Sequence, residues 1–217
     1  MSLDASRQHA TAPPARPETY DSISAAIGAD HDYFDTCYEH IVTAEDIEEK
    51  SKWRNQLTWS VARHAISEEL TYYPTMEKHL GDEGHRLADE DREQHQAADE
   101  GNQVKQDLAK LQDMSPANVE FAPLLERLMH DLHAHIEHEK NEDMPRLERL
   151  LRPDESKALA AEFMRTKKIV PTRSHPSAPN QPPLETLAGL LVAPVDRLRD
   201  LVRSFPSAAE GGDPSAF

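Results

Sequence analysis

The chain of 217 residues has little glycine, few aromatic residues and a single cysteine. With only 7 glycines and few runs of β-branched residues, the composition argues against a sheet-rich fold and favours an all-helical one. Cys37 alone cannot form an intrachain disulfide, which excludes a disulfide-stabilised secreted scaffold. We therefore expect Cys37 to be a small core residue within a helix.

Long apolar runs and positive charge are also scarce. No stretch reaches the roughly 18 consecutive apolar residues of a membrane-spanning helix, and residues 1–19 lack the apolar core of a signal peptide. The 24 basic residues face 40 acidic ones, which gives a formal net charge of -16. Such a charge disfavours nucleic acid and anionic membranes as partners and indicates an acidic, solubilising surface. We predict a cytoplasmic protein with neither kind of partner.

The chain does contain a regular helical periodicity of apolar positions. One face of the first predicted helix carries a stripe of residues three or four positions apart: Ile23, Ile27, His31, Phe34, Tyr38 and Ile41. Three further long helices are predicted, from about residue 44 or 51 to 80, from about 84 to 112, and from before 123 to about 150. Four long helices with short connections predict an all-α, up-down four-helix bundle.

The two ends of the chain differ from the bundle in composition. Residues 1–19 carry three prolines and predict a flexible tail, whereas residues 20–165 hold the bundle and a short extra helix. Residues 166–217 begin with a proline-rich segment that must be extended and continue as an amphipathic stretch. We interpret this extension as a strap packed on the bundle, and a partner-binding or membrane-surface helix is the alternative.

Two of the predicted helices carry the same polar pair on their apolar face. The segments "HAISEELTYYP" and "HIEHEKNEDMP", which begin at His64 and His135, both have the pattern His-x3-Glu-x5-Pro, 71 residues apart. The histidines and the glutamates Glu68 and Glu139 therefore project from one helix face about a turn apart. A buried carboxylate needs a partner or a metal ion, and the repetition favours a metal over two separate hydrogen bonds.

The other two long helices each offer one histidine. His31 lies on the apolar stripe of the first helix, and His95 follows Leu87 by two turns on the third. The bundle interior could thus gather six candidate metal ligands: His31, His64, Glu68, His95, His135 and Glu139. A set of nitrogen and oxygen donors without thiolate suits iron, zinc or manganese. Carboxylates that can bridge favour two ions, with coordination positions left open for a small exogenous ligand.

Together, these residues resemble the hemerythrin-like (HHE cation-binding) family. The resemblance rests on "SISAAIGADHDYF", "KWRNQLTWSVARHAISEELTYYPTMEKHLGDEG", "DREQHQ" and "HAHIEHEKNEDMP". The C-terminal "VPTRSHPSAPNQPPLETLAGLLVAPVDRL" is similar to a subgroup common in fungi. The resemblance implies a bundle around two non-heme iron ions, accessible to O2 or related small molecules. By position, the four histidines would be terminal ligands, and Glu68 and Glu139 would be bridging carboxylates.

The third helix departs from the oxygen-carrying members of that family. They have a paired histidine on this helix, whereas here Asp99 follows His95 by one turn and Gly101 interrupts the helix. This departure argues against a dedicated reversible O2 carrier and for a more open, reactive or sensing site. The ligand on this helix is either His95 or was lost near Gly101. On the fourth helix, His138 and Glu142 form a second pair that would shift the register of the site.

Three functions of different classes fit this pattern. The first is a non-heme di-iron protein that binds O2, NO or peroxide in sensing, storage or detoxification. The second is an O2-dependent di-iron oxidase or oxygenase that acts on a small organic metabolite, with the C-terminal extension lining a pocket. The third is a structural bundle whose histidine–glutamate pairs are hydrogen-bonded and bind no functional metal. The metal content of iron-grown protein and its O2-dependent absorption separate the three.

Overall fold

The fold is seen in a computed structural model that describes residue 17 and residues 19–96, 104–170, 172, 200 and 203–213. All secondary structure in these residues is helical. The α-helices among them are α1 (Ile23–Thr43), α2 (Ile47–Ser67), α3 (Tyr73–Leu80), α4 (Asp82–Gln96), α5 (Val104–Leu111), α6 (Phe121–His138), α7 (Met144–Glu148) and α8 (Pro153–Thr166). Two π-helical turns, π1 (Glu68–Tyr72) and π2 (Glu139–Asp143), join α2 to α3 and α6 to α7, and a short 3-10 turn spans Ala208–Glu210.

The predicted all-helical bundle is confirmed. Helix α1 is the first predicted helix; α2, π1 and α3 form the second without a break; α4 and α5 lie in the third; and α6, π2 and α7 form the fourth. Helix α8 is the short extra helix, packed against α1 and π1. The tail of residues 1–19 and the strap of residues 166–217 fall largely outside the described residues, so the proposed division into domains stays a prediction. In the described part, none of the helices combines the length and apolarity needed to traverse a bilayer.

Local sequence explains where the helices begin and turn. The side chains of Ser22 and Asp46 accept hydrogen bonds from the free backbone N–H groups at the starts of α1 and α2. Gly81 ends α3 with a φ of 58°, a left-handed conformation that glycine adopts without strain. At Gly84 a Cβ atom would lie 2.2 Å from the carbonyl oxygen of Met76, so only glycine lets α4 turn back this closely on α3.

Two apolar clusters fill the bundle, one on either side of a polar layer. The first cluster includes Tyr33, Phe34, Cys37, Trp53, Leu57, Val61, Leu128 and Leu132. The second cluster includes Ile23, Ile27, Tyr72, Tyr73, Met76, Leu87, Met144 and Phe163. Along the chain, each of three histidines lies between a residue of the first cluster and a residue of the second: His31, His64 and His135. The predicted ligands therefore lie in a buried layer between two apolar cores, and Cys37 is a core residue as expected.

Candidate metal centre

The sequence repeat is also a structural repeat. Both π-helical turns begin at the glutamate of the motif, and in each the backbone N–H that follows the turn bonds to the carbonyl of that glutamate five residues back. Pro74 and Pro145 come directly after these turns. Proline has no N–H and clashes with the carbonyl four residues before it, so widening the turn relieves both problems. The shared proline was the signal for the π turns, which the sequence analysis did not predict.

The wider turn changes which side chains face the interior. Glu68 and Glu139 open the two turns, and Tyr72 and Asp143 close them; all four are 0% exposed. Each turn thus buries two polar side chains. π1 pairs its glutamate with a tyrosine, whereas π2 pairs its glutamate with a second carboxylate. This difference makes the two halves of the layer chemically unequal.

Four of the predicted ligands converge. Potential ligand atoms of His31, His64, Glu68 and Glu139 all lie within 4.8 Å of one another, and all four residues are buried. The Nε2 atoms of His31 and His64 are 3.2 Å apart, and His64 Nε2 lies 3.0 Å from Glu68 Oε1. This close approach of two ring nitrogens and two carboxylates is the arrangement that a metal ion with nitrogen and oxygen ligands requires.

His135 joins the group through Glu139. The Oε2 atom of Glu139 lies 3.6 Å from His135 Nε2 and 3.4 Å from His31 Nε2. One carboxylate oxygen therefore faces histidines that belong to different helices. Five of the six predicted residues thus lie in one buried cluster. His95 lies near the end of α4, and its side chain falls outside the described part of the structure.

A buried relay holds His64 in place. Its Nδ1–H donates to Asp30 Oδ2 at 3.1 Å, and the ammonium of Lys167 donates to the same oxygen at 2.6 Å. Arg63 in turn donates to the backbone carbonyl of Lys167 at 2.6 Å. Because the outer ring nitrogen is engaged by a carboxylate, Nε2 points into the cluster in the orientation that metal-ligating histidines adopt. Sequence reasoning missed both Asp30 and Lys167.

The relay and the neighbouring glutamate also change the acidity of His64. Burial opposes the charged ring, but Glu68 and Asp30 outweigh that effect and raise its pKa to about 9. In the metal-free protein the ring therefore holds a proton at neutral pH. A metal ion has to displace that proton, so binding releases acid and strengthens as the pH rises.

The third helix contributes Asp91 to the layer. Its carboxylate is 0% exposed, and Oδ1 lies 4.0 Å from His135 Nδ1. The sequence analysis assigned this helix either His95 or a lost ligand and did not weigh Asp91, which precedes His95 by one turn. The signal was present, because Asp91 follows the buried Leu87 by one turn and continues its stripe.

The donor set fits a metal by a second criterion. Among the described residues, no nitrogen or hydroxyl group donates a hydrogen bond to the carboxylates of Glu139, Asp91 and Asp143, although all three groups are buried. Burial, together with the neighbouring acids, raises the pKa of Glu139 well above its usual range and that of Asp91 to about 9. Leaving a buried polar group unsatisfied costs about 1–3 kcal/mol each. A bound cation would remove that cost for several groups together.

The alternative register on the fourth helix is wrong. The carboxylate of Glu142 is 47% exposed and pairs with Arg146 at 2.6 Å, outside the buried layer. His138 instead faces Asp143, whose Oδ2 lies 3.6 Å from its Nε2. The π2 turn explains this outcome, because the extra residue rotates Asp143 inward and leaves Glu142 on the surface.

Comparison with known proteins agrees with this geometry. The family model described as the hemerythrin HHE cation-binding domain matches residues 22–147, which span α1 to α7. An uncharacterized hemerythrin-like protein of Schizosaccharomyces pombe is 46% identical over 184 residues, covering 85% of this chain and 88% of the relative. No solved structure matches the chain significantly. The chain therefore belongs to the hemerythrin HHE cation-binding family.

Proposed function

We propose that this protein is a non-heme di-iron protein that binds O2 or a related small molecule, NO or peroxide, in sensing, storage or detoxification. The observation that carries the proposal is the position of Glu139. Its Oε2 lies 3.4 Å from His31 and 3.6 Å from His135, which come from different helices, and this position supports a bridging role for the carboxylate. Zinc and manganese accept the same donors, so the identity of the metal is part of the proposal.

The residues divide naturally into two ligand groups. His31 and His64 with Glu68 would hold one ion, His135 would hold the other, and Glu139 would lie between them. When bound, a pair of iron ions supplies reversible one-electron redox chemistry and open positions for a small ligand. The relay from Lys167 fixes the ring of His64 so that its Nε2 stays directed at the cluster.

Aromatic side chains shield the site from water. The rings of Phe34 and Phe163 lie 5.1 Å and 5.8 Å from the ring of His64, both edge-on. Tyr72 and Tyr73 are 0% exposed, and burial raises the pKa of both phenols well above the usual range. Such a dry environment strengthens the attraction between the carboxylates and a cation and limits access to small neutral molecules. We also propose that the protein is cytoplasmic, because the chain is strongly acidic and has few long apolar runs.

Anaerobic reconstitution tests the proposal. Metal-free protein should take up at least two Fe2+ per chain and, on exposure to O2, develop near-ultraviolet absorption from ligand-to-iron charge transfer. Glu139→Gln should lose most of the iron and the absorption change. Glu142→Gln, a surface change on the same helix, is the matched control and should behave like the unmodified chain. Fewer than about one iron per chain, with no spectral change, would contradict the proposal.

An open pocket beside His31 favours an O2-dependent oxidase or oxygenase as the second candidate. The pocket has a volume of about 540 Å3, and its wall includes Gly28, His31, Asp35 and Lys140. This size accommodates a small organic molecule, and the charged wall suits a polar one.

The structural alternative without metal predicts that neither iron nor chelator changes the melting temperature of the protein.

A change at Gly28 separates the first two candidates. A Cβ atom at this position would have no other heavy atom within 4 Å, so Gly28→Leu can fill the pocket without disturbing α1. If the pocket binds an organic substrate, this variant should lose substrate-dependent O2 consumption while keeping its iron and its spectrum. Equal rates of O2 consumption with and without candidate polar metabolites in the unmodified chain would dismiss the oxidase.

A further inference from the structure

A second group of possible metal ligands lies next to the central cluster. It consists of Asp91 on α4, His138 at the end of α6 and Asp143 at the end of π2, with one ligand atom of each within 4.8 Å of the others. We call this group the side site. None of the three belongs to the ligand set that the family motif supplies, and the sequence analysis did not consider Asp91 or Asp143 as ligands.

The two carboxylates of the side site are buried and face each other. Asp91 and Asp143 are both 0% exposed, and among the described residues no nitrogen or hydroxyl group donates a hydrogen bond to their four oxygens. His138 and, more weakly, Arg146 act on Asp143, but the guanidinium of Arg146 is itself engaged by Glu142 at 2.6 Å and by Glu83 at 3.4 Å. Two buried carboxylates directed at one point require either protons or a cation there.

The contrast with Asp30 shows what is lacking. Asp30 and Asp91 each face the Nδ1 atom of a cluster histidine, Asp30 at 3.1 Å from His64 and Asp91 at 4.0 Å from His135. Asp30 is neutralised by the buried ammonium of Lys167, whereas no described lysine or arginine forms an ion pair with Asp91. In place of the ammonium the second half of the layer has Asp143 and His138. Carboxylates and imidazoles are metal ligands. A metal ion at the side site would therefore balance the charge of Asp91, as the ammonium of Lys167 balances that of Asp30.

The side site also connects the central cluster to solvent. The side chain of His138 is 32% exposed, and its Nε2 lies 4.0 Å from a carboxylate oxygen of Glu90, which is 39% exposed. On the inner side, Asp91 lies 4.0 Å from His135, which contacts Glu139. Polar groups that can bind a metal ion therefore form a series of contacts from the surface at Glu90 and His138 to His135 and Glu139 inside the bundle.

We propose that Asp91, His138 and Asp143 bind a third divalent transition-metal ion, and that this ion is in transit between solvent and the central pair. Binding at the side site stands on the three residues alone, whereas the transit role rests on the proposed di-iron function. Nitrogen and oxygen donors of this kind suit Fe2+ and Mn2+.

Metal titration of the metal-free chain tests the proposal, with Mn2+ followed by electron paramagnetic resonance and Fe2+ under anaerobic conditions. Asp143→Asn keeps the shape of the side chain and removes its charge, and should lower the number of bound ions by about one per chain. It should also slow the filling of the central pair by about tenfold or more. Glu126→Gln, a change at an exposed position of α6, is the control and should alter neither quantity.

Each outcome has a distinct meaning. If the central pair takes up no metal, the unmodified chain should bind a single ion that Asp143→Asn removes, and the side site survives the failure of the di-iron proposal. Loss of one ion with unchanged filling of the pair overturns the transit role. Equal ion counts and affinities in the variant and the unmodified chain overturn the side site. His138→Asn, at a half-buried position, should show the same loss and replaces Asp143→Asn if that variant does not fold.

Discussion

The two halves of the buried layer solve the same electrostatic problem differently. In the first half His64 is held by Asp30, whose charge is balanced by Lys167 at 2.6 Å. In the second half His135 faces Asp91, and among the described residues no ammonium or guanidinium forms an ion pair with that carboxylate. The first half is complete without a metal ion and preorganises a ligand. The second half is stable only when protons or a cation balance its acids.

The largest effect should come from breaking the built-in ion pair. Lys167→Met leaves the carboxylate of Asp30 buried, at 1% exposure, without its cation. Removing one partner of a buried pair costs about 3–5 kcal/mol, so the free energy of unfolding in urea should fall by that amount. Lys168→Met, at the exposed neighbouring position, is the control and should change it by less than about 0.5 kcal/mol. A loss of the same small size in both variants would show that the relay does not stabilise the fold.

Removing the corresponding acid of the second half should have the opposite sign. Asp91→Asn eliminates a buried carboxylate that lies among other acids, so the metal-free protein should become more stable by about 1–3 kcal/mol. Asp30→Asn should instead destabilise, because it leaves Lys167 without its partner. Chemical unfolding in the presence of chelator measures both. If the two substitutions shift stability in the same direction, the two halves do not differ as we describe.

The pH dependence of the metal-free protein should sharpen the same contrast. Burial and the neighbouring acids raise the pKa of Asp91 from 3.8 to about 9, so the folded state holds that proton more tightly than the unfolded chain. The pKa of His64 is raised from 6.5 to about 9, so its contribution is complete below 6.5 and disappears as the pH passes about 9. Both effects lower the stability as the pH rises through this interval.

Melting temperatures across that interval measure the effect. With chelator present, the melting temperature should fall steadily from about pH 6.5 to about pH 9. Iron-loaded protein should show a shallower fall, because the metal replaces the protons that the buried groups would otherwise lose. Asp91→Asn should flatten the profile of the metal-free protein. A melting temperature that rises over this range would contradict the assignment.

The smallest change in stability is expected at the prolines that follow the π turns. Pro145→Ala restores a backbone N–H and permits a regular α-helix, so the free energy of unfolding should change by less than about 1 kcal/mol. Iron affinity should nevertheless fall by about tenfold, because π2 no longer turns Glu139 and Asp143 inward together. Pro153→Ala, in the first turn of α8, is the control, and its iron affinity should equal that of the unmodified chain. Equal affinities in all three proteins would show that the π turn is not needed.

Much of the fold and five residues of the buried cluster followed from the sequence by itself. Periodicity placed α1 and the three other long helices, because an amphipathic helix repeats its apolar face every three or four residues. The repeated His-x3-Glu motif predicted that two pairs face the bundle interior, because residues four apart share a helix face. The pairs are His64 with Glu68 and His135 with Glu139. These are local patterns, and the chain carries them without reference to its tertiary contacts.

The tertiary structure decided the remainder. Lys167 reaches Asp30 across 137 positions of the chain, and no spacing rule links two residues that far apart. Asp91 and Asp143 enter the layer because of the way α4 packs and because π2 adds one residue to a helical turn, which shifts every later side chain around the axis. The sequence by itself thus determined a helical bundle with a buried histidine–glutamate repeat. Only the packed chain decided which half balances its own charge and which half requires a cation, because that balance depends on contacts between distant elements.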